Sequence, residues 1–512
     1  MSSIGARRWW ALAALDLGVL AVGLDVTVLS VALPTLAGAF KASESDLQWF
    51  SSAYALVLAA GMLPAGVLGD RFGRKRVLLG ALVLFGAGSV VCAYAANPAE
   101  FIAGRALLGA AGAAIVVMAL SVMTVLFAEA ERPRAVGIWA AANFLALPIG
   151  PIFGGWLLTN YWWGWIFLMN VPVALLGIVA VLTLVPESRA SEKPALDPVG
   201  MLLVSGGLVG VTYGLIELGR NGWTHGPSLA VLLAGLIMAV GFFAWERRLA
   251  AQPHGRPLID LALFRSRGFT WGTTLAALGG LALIGLVFTL PQYSQGVLGL
   301  DPEGAGVRLL PLIGGMIAGA VPADRLATWI GARVTVAIGF GITAAGLLVG
   351  ATTAVDSSAW YVAGWMALVG FGMGIGFATA ASAALKTVPG DKSGVASALI
   401  QAMQKVGAPL GSAIFGSVLV TVYQSSLHLA GLPAAAAEAA RHSVFAGVTV
   451  AQTLHSAPLL DSVRHSFVEG MDAALLFSAA IAAVAMVAAL VFLPGRERPA
   501  AAAEPLAVEK VA

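Results

Sequence analysis

The chain has 512 residues, of which 59% are hydrophobic and only 11% are charged. A soluble protein of this length carries about a quarter charged residues, so the composition excludes a soluble protein and indicates an integral membrane protein. The net charge of +3 is too small for a nucleic-acid partner, and the single cysteine, Cys92, cannot form an internal disulfide.

Apolar runs of about 20 residues, the length that crosses a bilayer as a helix, predict fourteen membrane spans. The first apolar segment carries an acidic residue, so we expect a retained span rather than a cleaved signal. The fold class predicted is an all-α membrane protein. The predicted spans are residues 11–33, 48–69, 76–96, 101–123, 134–157, 166–185, 200–219, 227–245, 269–291, 304–322, 332–352, 361–384, 394–421 and 470–493.

A weak internal sequence repeat divides these spans into two halves. GVLGDRFGRKR, residues 66–76, resembles GAVPADRLATWIGAR, residues 319–333, and pairs Asp70-Arg71 with Asp324-Arg325. If the seventh and eighth spans are an insertion, two six-helix bundles remain, as in transporters built from repeated halves. The predicted segments are an N-terminal bundle at 1–190, two inserted helices and a linker at 191–260, a C-terminal bundle at 261–493 and a cytoplasmic tail at 494–512.

Basic residues predict the orientation. Of the 29 Lys and Arg residues, five lie on one side and two inside spans, which leaves 22 on the side of the termini. The positive-inside rule therefore places both termini in the cytoplasm. On the opposite side, residues 422–469 are expected to form a solvated external loop, because the spacing of their four histidines matches no metal motif.

Few ionisable side chains fall inside the predicted spans. Asp25 and Lys405 lie mid-span, and Arg105 lies early in the fourth span. A charge at the bilayer centre costs about 2.5–3.5 kcal/mol on insertion scales, so each is a candidate functional group. The predicted candidates for the substrate cavity are Asp25, Glu217, Gln401 and Lys405.

Each of these groups has more than one interpretation. Asp25 belongs either to a structural ion pair or to proton or cationic-substrate coupling, and we expect coupling. Arg105 keeps its charge, so we expect it to act on a neighbouring acid or to donate to backbone. Asp16 is out of phase with Asp25 and is expected to snorkel or to lie near a helix end. Lys405 is a counter-ion, an anionic-substrate contact or a group that gains and loses charge.

Two glycine-containing segments predict conformational roles. In ALPIGPIFGGW, small residues let a neighbouring helix approach and proline kinks a helix, so we expect a hinge or a seal. In GVLGDRFGRKR, a glycine permits a sharp turn. We expect Asp70 to bind a basic side chain or a helix N-terminus in one conformation only. The predicted seal residues are Gly150, Pro151, Gly154 and Gly155, and the predicted switch residues are Asp70, Arg71, Gly73, Arg74, Asp324 and Arg325.

Together, from about residue 10 to residue 493, these segments resemble the major facilitator superfamily, specifically its fourteen-span drug:proton antiporter branch. LDVTVLSVALP is similar to the first-span signature, GVLGDRFGRKR to the cytoplasmic loop motif and residues 105–114 to the span-four proton-linked motif. GPIFGG is similar to the antiporter motif, which in the family accompanies exchange.

The resemblance implies roles for particular residues. Asp25 and Arg105 would take part in proton coupling, Asp70 and Arg74 in the conformational switch, and the glycines and proline of GPIFGG in sealing or bending the cavity. The chain departs from the family pattern at Ser30, Leu108, Gly164 and Lys405, where Asn, Gln, Arg and Gln are frequent.

The sequence therefore predicts a proton-coupled antiporter that exports an amphipathic organic compound, such as a drug or a producer's own antibiotic. No G-x-x-x-x-G-K-[ST] motif occurs, so we expect no ATP motor, no enzyme activity and no cofactor beyond the proton gradient. The alternatives are a symporter or importer of the same fold, or a channel or membrane-embedded enzyme. The expected partners are a small organic substrate, protons and the bilayer, with the chain a monomer in the cytoplasmic membrane.

Overall fold

The computed structural model describes residues 2–127, 149–188, 197–252, 263–386 and 393–494, with the single residues 131, 135, 146, 258 and 261. Within these ranges the chain is helical and contains no strand. This agrees with the predicted all-α class.

Two helices of the first set, α2 and α4, begin at capped positions. Ser43 forms a capping box with Asp46 at the start of α2, and Asn97 caps α4. Helix α2 bends by 50° at the break between Met62 and Pro64. The helices of this set are α1 (Ser2–Phe40), α2 (Glu44–Phe72), α3 (Arg74–Ala93), α4 (Pro98–Leu126), α5 (residues 149–160), α6 (Trp165–Leu168) and α7 (Asn170–Leu184).

Two helices, α8 (Pro198–Asn221) and α9 (Gly226–Ala250), separate this set from the second. In the second set a π-helical segment, Tyr293–Val297, extends the first helix. The helices of the second set are α10 (Arg267–Gln292), α11 (Pro302–Val307), α12 (Leu310–Ile330), α13 (Ala332–Gly350), α14 (Ala359–Lys386), α15 (Ser393–Ser426), α16 (Ala434–His442), α17 (Val444–Thr453) and α18 (Ala457–Phe492).

Among the described residues, eleven helices are long and apolar enough to cross a membrane, and the bent α2 makes a twelfth. Two further predicted spans fall on α5, which is described over residues 149–160, and on α15. The rest of the predicted span 134–157 lies outside the described residues, apart from residues 135 and 146.

The predicted tenth span, 304–322, lies within the apolar helical stretch Pro302–Ile330, in which α12 follows the short helix α11. One predicted segment is wrong. The expected solvated loop at 422–469 instead contains α16, α17 and the first turns of α18. Val444, Gly447 and Ala451 are buried, so α17 packs as a short apolar helix that is not long enough to be read as a span.

The packing of the first set recurs in the second. Helices α2 and α3 pack against α4, and α3 packs against α7; likewise α12 and α13 pack against α14, and α13 packs against α18. Each set surrounds its own apolar core. The recurrence supports the division into two halves around an inserted pair.

The bundle has two ends, which we name after residues in their turns. The Ser43 face contains the turns at 41–43, 94–97 and 161–164, joined by ring contacts such as Phe40–Trp163 at 5.4 Å. The Gly73 face contains the glycine turns at Gly73 and Gly331, each with a positive φ. Asp25 lies between the two faces, near the middle of α1.

The inserted helix α8 lies on the seam between the halves, because it packs on both α2 and α15. The rings of Trp49 on α2 and Tyr213 on α8 are 5.8 Å apart. On the other side, the Ser417 hydroxyl of α15 donates to the Leu215 carbonyl at 2.9 Å. Helix α8 therefore contacts both halves near the Ser43 face.

The Gly73 turn generates a stability prediction. Its φ of 109° is strained for any other residue, and a Cβ atom there would lie 2.6 Å from Oε1 of Glu187. Gly73→Ala should lower the free energy of unfolding by about 1–3 kcal/mol. The thermal midpoint of purified protein measures this.

Gly80→Ala is the matched control, because that glycine is helical and a Cβ atom would meet no atom within 4 Å. It should be neutral or stabilise by about 0.5–1 kcal/mol. Equal midpoints for Gly73→Ala and the parent protein would contradict the assigned turn.

Candidate functional site

A polar cluster lies inside the first half, formed by Asp25 of α1, Arg105 of α4 and Asn170 of α7. Asp25, Arg105 and Asn170 are each 1% exposed. Arg105 Nη1 forms a direct salt bridge with Asp25 Oδ2. Asn170 Nδ2 donates to the other carboxylate oxygen, Oδ1, at 3.3 Å. Both oxygens of the acid are therefore engaged.

The rest of the guanidinium group contacts α2. Arg105 Nε donates to the Phe50 carbonyl at 3.1 Å, and the guanidinium carbon lies 4.4 Å from the centre of the Tyr54 ring. Tyr54 donates its hydroxyl hydrogen to the Val22 carbonyl at 3.1 Å. Arg105 thus joins α1, α2 and α4 through hydrogen bonds, a salt bridge and a cation–π contact.

Small residues make this geometry possible. Gly109 stands one turn after Arg105, and a Cβ atom there would overlap the Tyr54 carbonyl oxygen. A Cβ atom on Gly112 would lie 3.0 Å from the Tyr54 hydroxyl oxygen. Helix α4 therefore approaches α2 closely enough for Arg105 to reach its partners.

The GPIFGG segment packs against two partners. A Cβ atom on Gly150 would overlap the Thr27 side chain, and one on Gly154 would lie 2.6 Å from Cγ1 of Val28. These contacts press α5 onto α1 beside Asp25. On the other side, a Cβ atom on Gly155 would lie 2.7 Å from the Pro302 carbonyl oxygen of α11, in the second half.

Pro151 takes part in the same contact between halves. A Cβ atom on Gly306 of α11 would overlap the Pro151 carbonyl oxygen. The GPIFGG segment therefore makes a close contact between the halves near the Ser43 face.

At the Gly73 face, Asp70 pairs with a basic side chain, one of the two partner types expected. Arg74 Nε and Nη2 both donate to Asp70 Oδ1, at 3.0 and 2.9 Å. Arg74 Nη1 donates to the Ser121 carbonyl of α4 at 3.3 Å. Arg71 lies over the Phe72 ring at 5.8 Å. The contacts of Asp70 described here thus stay within the first half.

The Asp-Arg pairs of the two halves do not occupy matching positions. Asp70 precedes the positive-φ Gly73 by three residues, whereas Asp324 precedes Gly331 by seven. Asp324 and Arg325 are exposed on α12. The two turns therefore correspond through their glycines, and the sequence alignment that paired Asp70-Arg71 with Asp324-Arg325 is shifted by one turn.

The remaining cavity candidates lie elsewhere. Glu217 is four residues from the end of α8, near the Ser43 face, and accepts a hydrogen bond from Asn221 at 2.8 Å. Gln401 and Lys405 belong to α15, but their side chains lie outside the described part of the chain. Of the four candidates, Asp25 alone is described as part of the buried cluster.

Sequence reasoning missed several buried polar groups. Asn170 stands in the quoted WGWIFLMNVP but has no charge to mark it. Glu44 looked like an ordinary helix-start acid, yet it is 4% exposed. Asp16 was expected to snorkel or lie near a helix end, yet it is 7% exposed and its Oδ1 has no hydrogen-bond partner. The angular position of Asp16 relative to Asp25 on α1 does not predict this burial, because both α4 and α7 pack on that helix.

Comparisons with known proteins agree with this architecture. The sequence model of the Major Facilitator Superfamily matches residues 15–412, so the chain belongs to that superfamily and is a multi-pass membrane transporter rather than an enzyme. The tetracenomycin C resistance and export protein of Streptomyces glaucescens is 33% identical, over 96% of this chain and 92% of that protein. The multidrug efflux pump LfrA of Mycolicibacterium smegmatis is 32% identical, over 94% of this chain and 95% of that protein.

Solved structures share the fold. A bacterial homolog of the human lysosomal transporter Spinster matches with a TM-score of 0.67 at 18% identity, over 96% of this chain and 99% of that chain. A D-xylose–proton symporter matches with a TM-score of 0.61 at 16% identity, over 95% of this chain and 98% of that chain.

The buried salt bridge generates a prediction about stability. Arg105→Leu leaves the Asp25 carboxylate buried beside Asn170 alone and should destabilise the protein by about 3–5 kcal/mol. The double variant Asp25→Asn/Arg105→Leu should cost less, because no unpaired charge remains. Unfolding of the purified single and double variants in detergent measures both values.

Arg76→Leu is the control, because this arginine is 79% exposed and lies 3.6 Å from Glu187. Its loss should change stability by at most about 1 kcal/mol. A double variant no more stable than Arg105→Leu would show that the two charges are not coupled.

Proposed function

We propose that the chain exports an amphipathic organic compound, of the drug or antibiotic type, in exchange for protons. The observation that carries this proposal is the fully buried Asp25–Arg105 salt bridge inside the first half. An ionised pair in this environment is expensive to bury and is therefore expected to have a use. The names of the relatives, which include resistance and export proteins, support the outward direction.

Protonation would change this cluster in a defined way. A proton on Asp25 removes its negative charge and weakens the salt bridge to Arg105, which keeps its positive charge. The guanidinium group then retains the Phe50 carbonyl and the Tyr54 ring, both on α2. Proton binding at Asp25 would thus loosen α1 from α4 while α2 stays attached.

Contacts between the halves support alternating access. Near the Ser43 face, the hydroxyl oxygens of Ser52 and Ser412 are 2.6 Å apart, between α2 and α15. Gln295 Nε2 donates to the Val31 carbonyl of α1 at 3.0 Å. These contacts close the Ser43 face in this structure, so opening it requires the halves to separate there.

The orientation follows from charge. The Gly73 face carries Arg74, Lys75 and Arg76 in one turn. By the positive-inside rule we place that face, and with it both termini, in the cytoplasm, with the Ser43 face outside. The protein then acts as a monomer in the cytoplasmic membrane without a cofactor. The electrical part of the proton gradient supplies about 2.3 kcal/mol per charge per 100 mV, enough for a gradient of a neutral compound of about 50-fold.

The central test of this function is Asp25→Asn. Energised efflux should stop while the protein remains inserted, because Asn cannot take up the proton. The measurement is pH-driven movement of a fluorescent organic cation in vesicles that contain purified protein, with and without a protonophore.

Asp356→Asn is the control, since Asp356 is an exposed acid in a loop of the Ser43 face. It should leave transport unchanged. Proton-driven transport by Asp25→Asn at the parent rate would remove Asp25 from the mechanism.

A second prediction concerns the substrate range. Lys405 belongs to α15 seven residues, or two turns, before Ser412, which contacts the first half. Lys405→Gln should change the set of exported compounds more than it changes assembly, since it removes a cation from a helix that takes part in the contact between the halves. A resistance screen across antibiotic classes in a pump-deficient host, with expression measured in parallel, tests it. An unchanged resistance spectrum at equal expression would contradict it.

A further inference from the structure

A second buried acid lies between the two halves, at the Ser43 face. Glu44 is the first residue of α2 and is 4% exposed. Its side chain has the Gln292 side chain of α10 as its hydrogen-bonding neighbour, so the contact joins the first half to the second. In contrast to Asp25, this acid has no basic partner among the described residues.

The two side chains present acceptors without donors. Glu44 Oε1 and Gln292 Oε1 are both buried and have no hydrogen-bond partner. Gln292 Nε2 donates one hydrogen to the Phe288 carbonyl at 3.3 Å and has its second hydrogen for the Glu44 carboxylate, but neither hydrogen serves Glu44 Oε1 or Gln292 Oε1. Rotating the amide would place its oxygen against that carbonyl oxygen. A buried acceptor without a donor is costly, so this arrangement lacks one hydrogen.

A proton on the Glu44 carboxyl group supplies that missing donor. The neutral acid presents an O–H group that donates to Gln292 Oε1, and the buried charge disappears at the same time. The partial positive charge at the start of α2 favours the ionised form of Glu44. No described cation lies beside the carboxylate to add to that effect.

Among the residues that the structure describes, the neighbouring titratable and charged groups supply neither this proton nor a counter-charge. From α15, Tyr423 donates its hydroxyl hydrogen to the Ala440 carbonyl at 2.8 Å, away from the acid. On the same turn, Asp46 accepts from the Ser43 backbone and hydroxyl groups, and Lys41 is exposed. From α16, Arg441 lies 3.9 Å from Glu438.

The position of Glu44 links its burial to the conformation of the protein. One and two turns further along α2, Gln48 and Ser52 contact α15: a Cβ atom on Gly416 would lie 2.7 Å from Cδ of Gln48, and Ser52 meets Ser412. Glu44, Gln48 and Ser52 therefore form one stripe that is buried against the second half. When the halves separate here, water reaches the Glu44 carboxyl group.

We propose that Glu44 takes up a proton as the Ser43 face closes and releases it as the face opens, which makes it a second proton-binding group beside Asp25. This inference deepens the proposed proton-coupled function and rests on it. The proton comes from water at the Ser43 face, binds to the Glu44 carboxylate and returns to the same side on opening.

The test measures opening of the Ser43 face directly. Spin labels at Thr159→Cys and Ala359→Cys, exposed positions near that face in opposite halves, report the distance between the halves in a Cys92→Ala, Asp25→Asn protein. With Asp25 neutral, raising the pH should still shift the population from short to long distances. One linked proton changes the ratio of open to closed protein by up to tenfold per pH unit.

Glu44→Gln should abolish this shift and leave the face closed at every pH, because its amide group donates permanently. The matched control is Glu100→Gln, since Glu100 is an exposed acid in the first turn of α4 at the same face; it should keep the pH dependence of the parent. Gln292→Leu removes the acceptor and should move the midpoint of the shift to lower pH, which keeps the test decisive if Glu44→Gln is unstable.

The same pH dependence in Glu44→Gln and the parent, or no dependence in either, would overturn the inference. Because the labels report conformation and not transport, this failure can be told from a failure of the proposed function, which would appear as uncoupled or absent efflux in the vesicle assay while the distance shift persists.

Discussion

The cost of burying charge in hydrocarbon is the constraint on which the first half is built. Asp25 and Arg105 are both almost fully buried, and their charges are tolerated because each is bonded to the other and to further polar groups. Such a pair contributes little net stability compared with apolar side chains of the same shape. When one charge of the pair is removed, the other is left with weaker partners, so the bonding of the cluster depends on protonation.

The geometry connects this pair to the contact between the halves through a single helix. On α2, Phe50 and Tyr54 face Arg105, while Gln48 and Ser52 face α15. Residues two apart on a helix point about 200° from each other, so α2 is held on one side by the ionic cluster and on the other by the second half. Arg105 is therefore separated from the contact with the second half by the width of one helix.

Much of this could be predicted from the sequence, because hydrocarbon permits few backbone structures and charges in apolar runs stand out. The helical class and the buried positions of Asp25 and Arg105 follow from these rules. Asn170 and the Glu44–Gln292 contact could not be predicted, because each depends on which helices meet, and a neutral amide or a helix-start acid looks ordinary in a sequence. The 422–469 segment was misjudged for a related reason: α16 and α17 are too short to give a hydropathy signal.

The second half, in its described part, relies on close glycine packing of the kind that the first half also uses at Gly109. Helices α12, α13 and α14 pack through glycines against backbone: a Cβ atom on Gly339 would lie 2.6 Å from the Gly376 nitrogen, and one on Gly319 would overlap the Phe371 carbonyl oxygen. Backbone contacts of this kind do not depend on protonation, whereas a salt bridge does. A change of protonation would therefore act on the Asp25–Arg105 cluster of the first half and not on the glycine contacts among α12, α13 and α14.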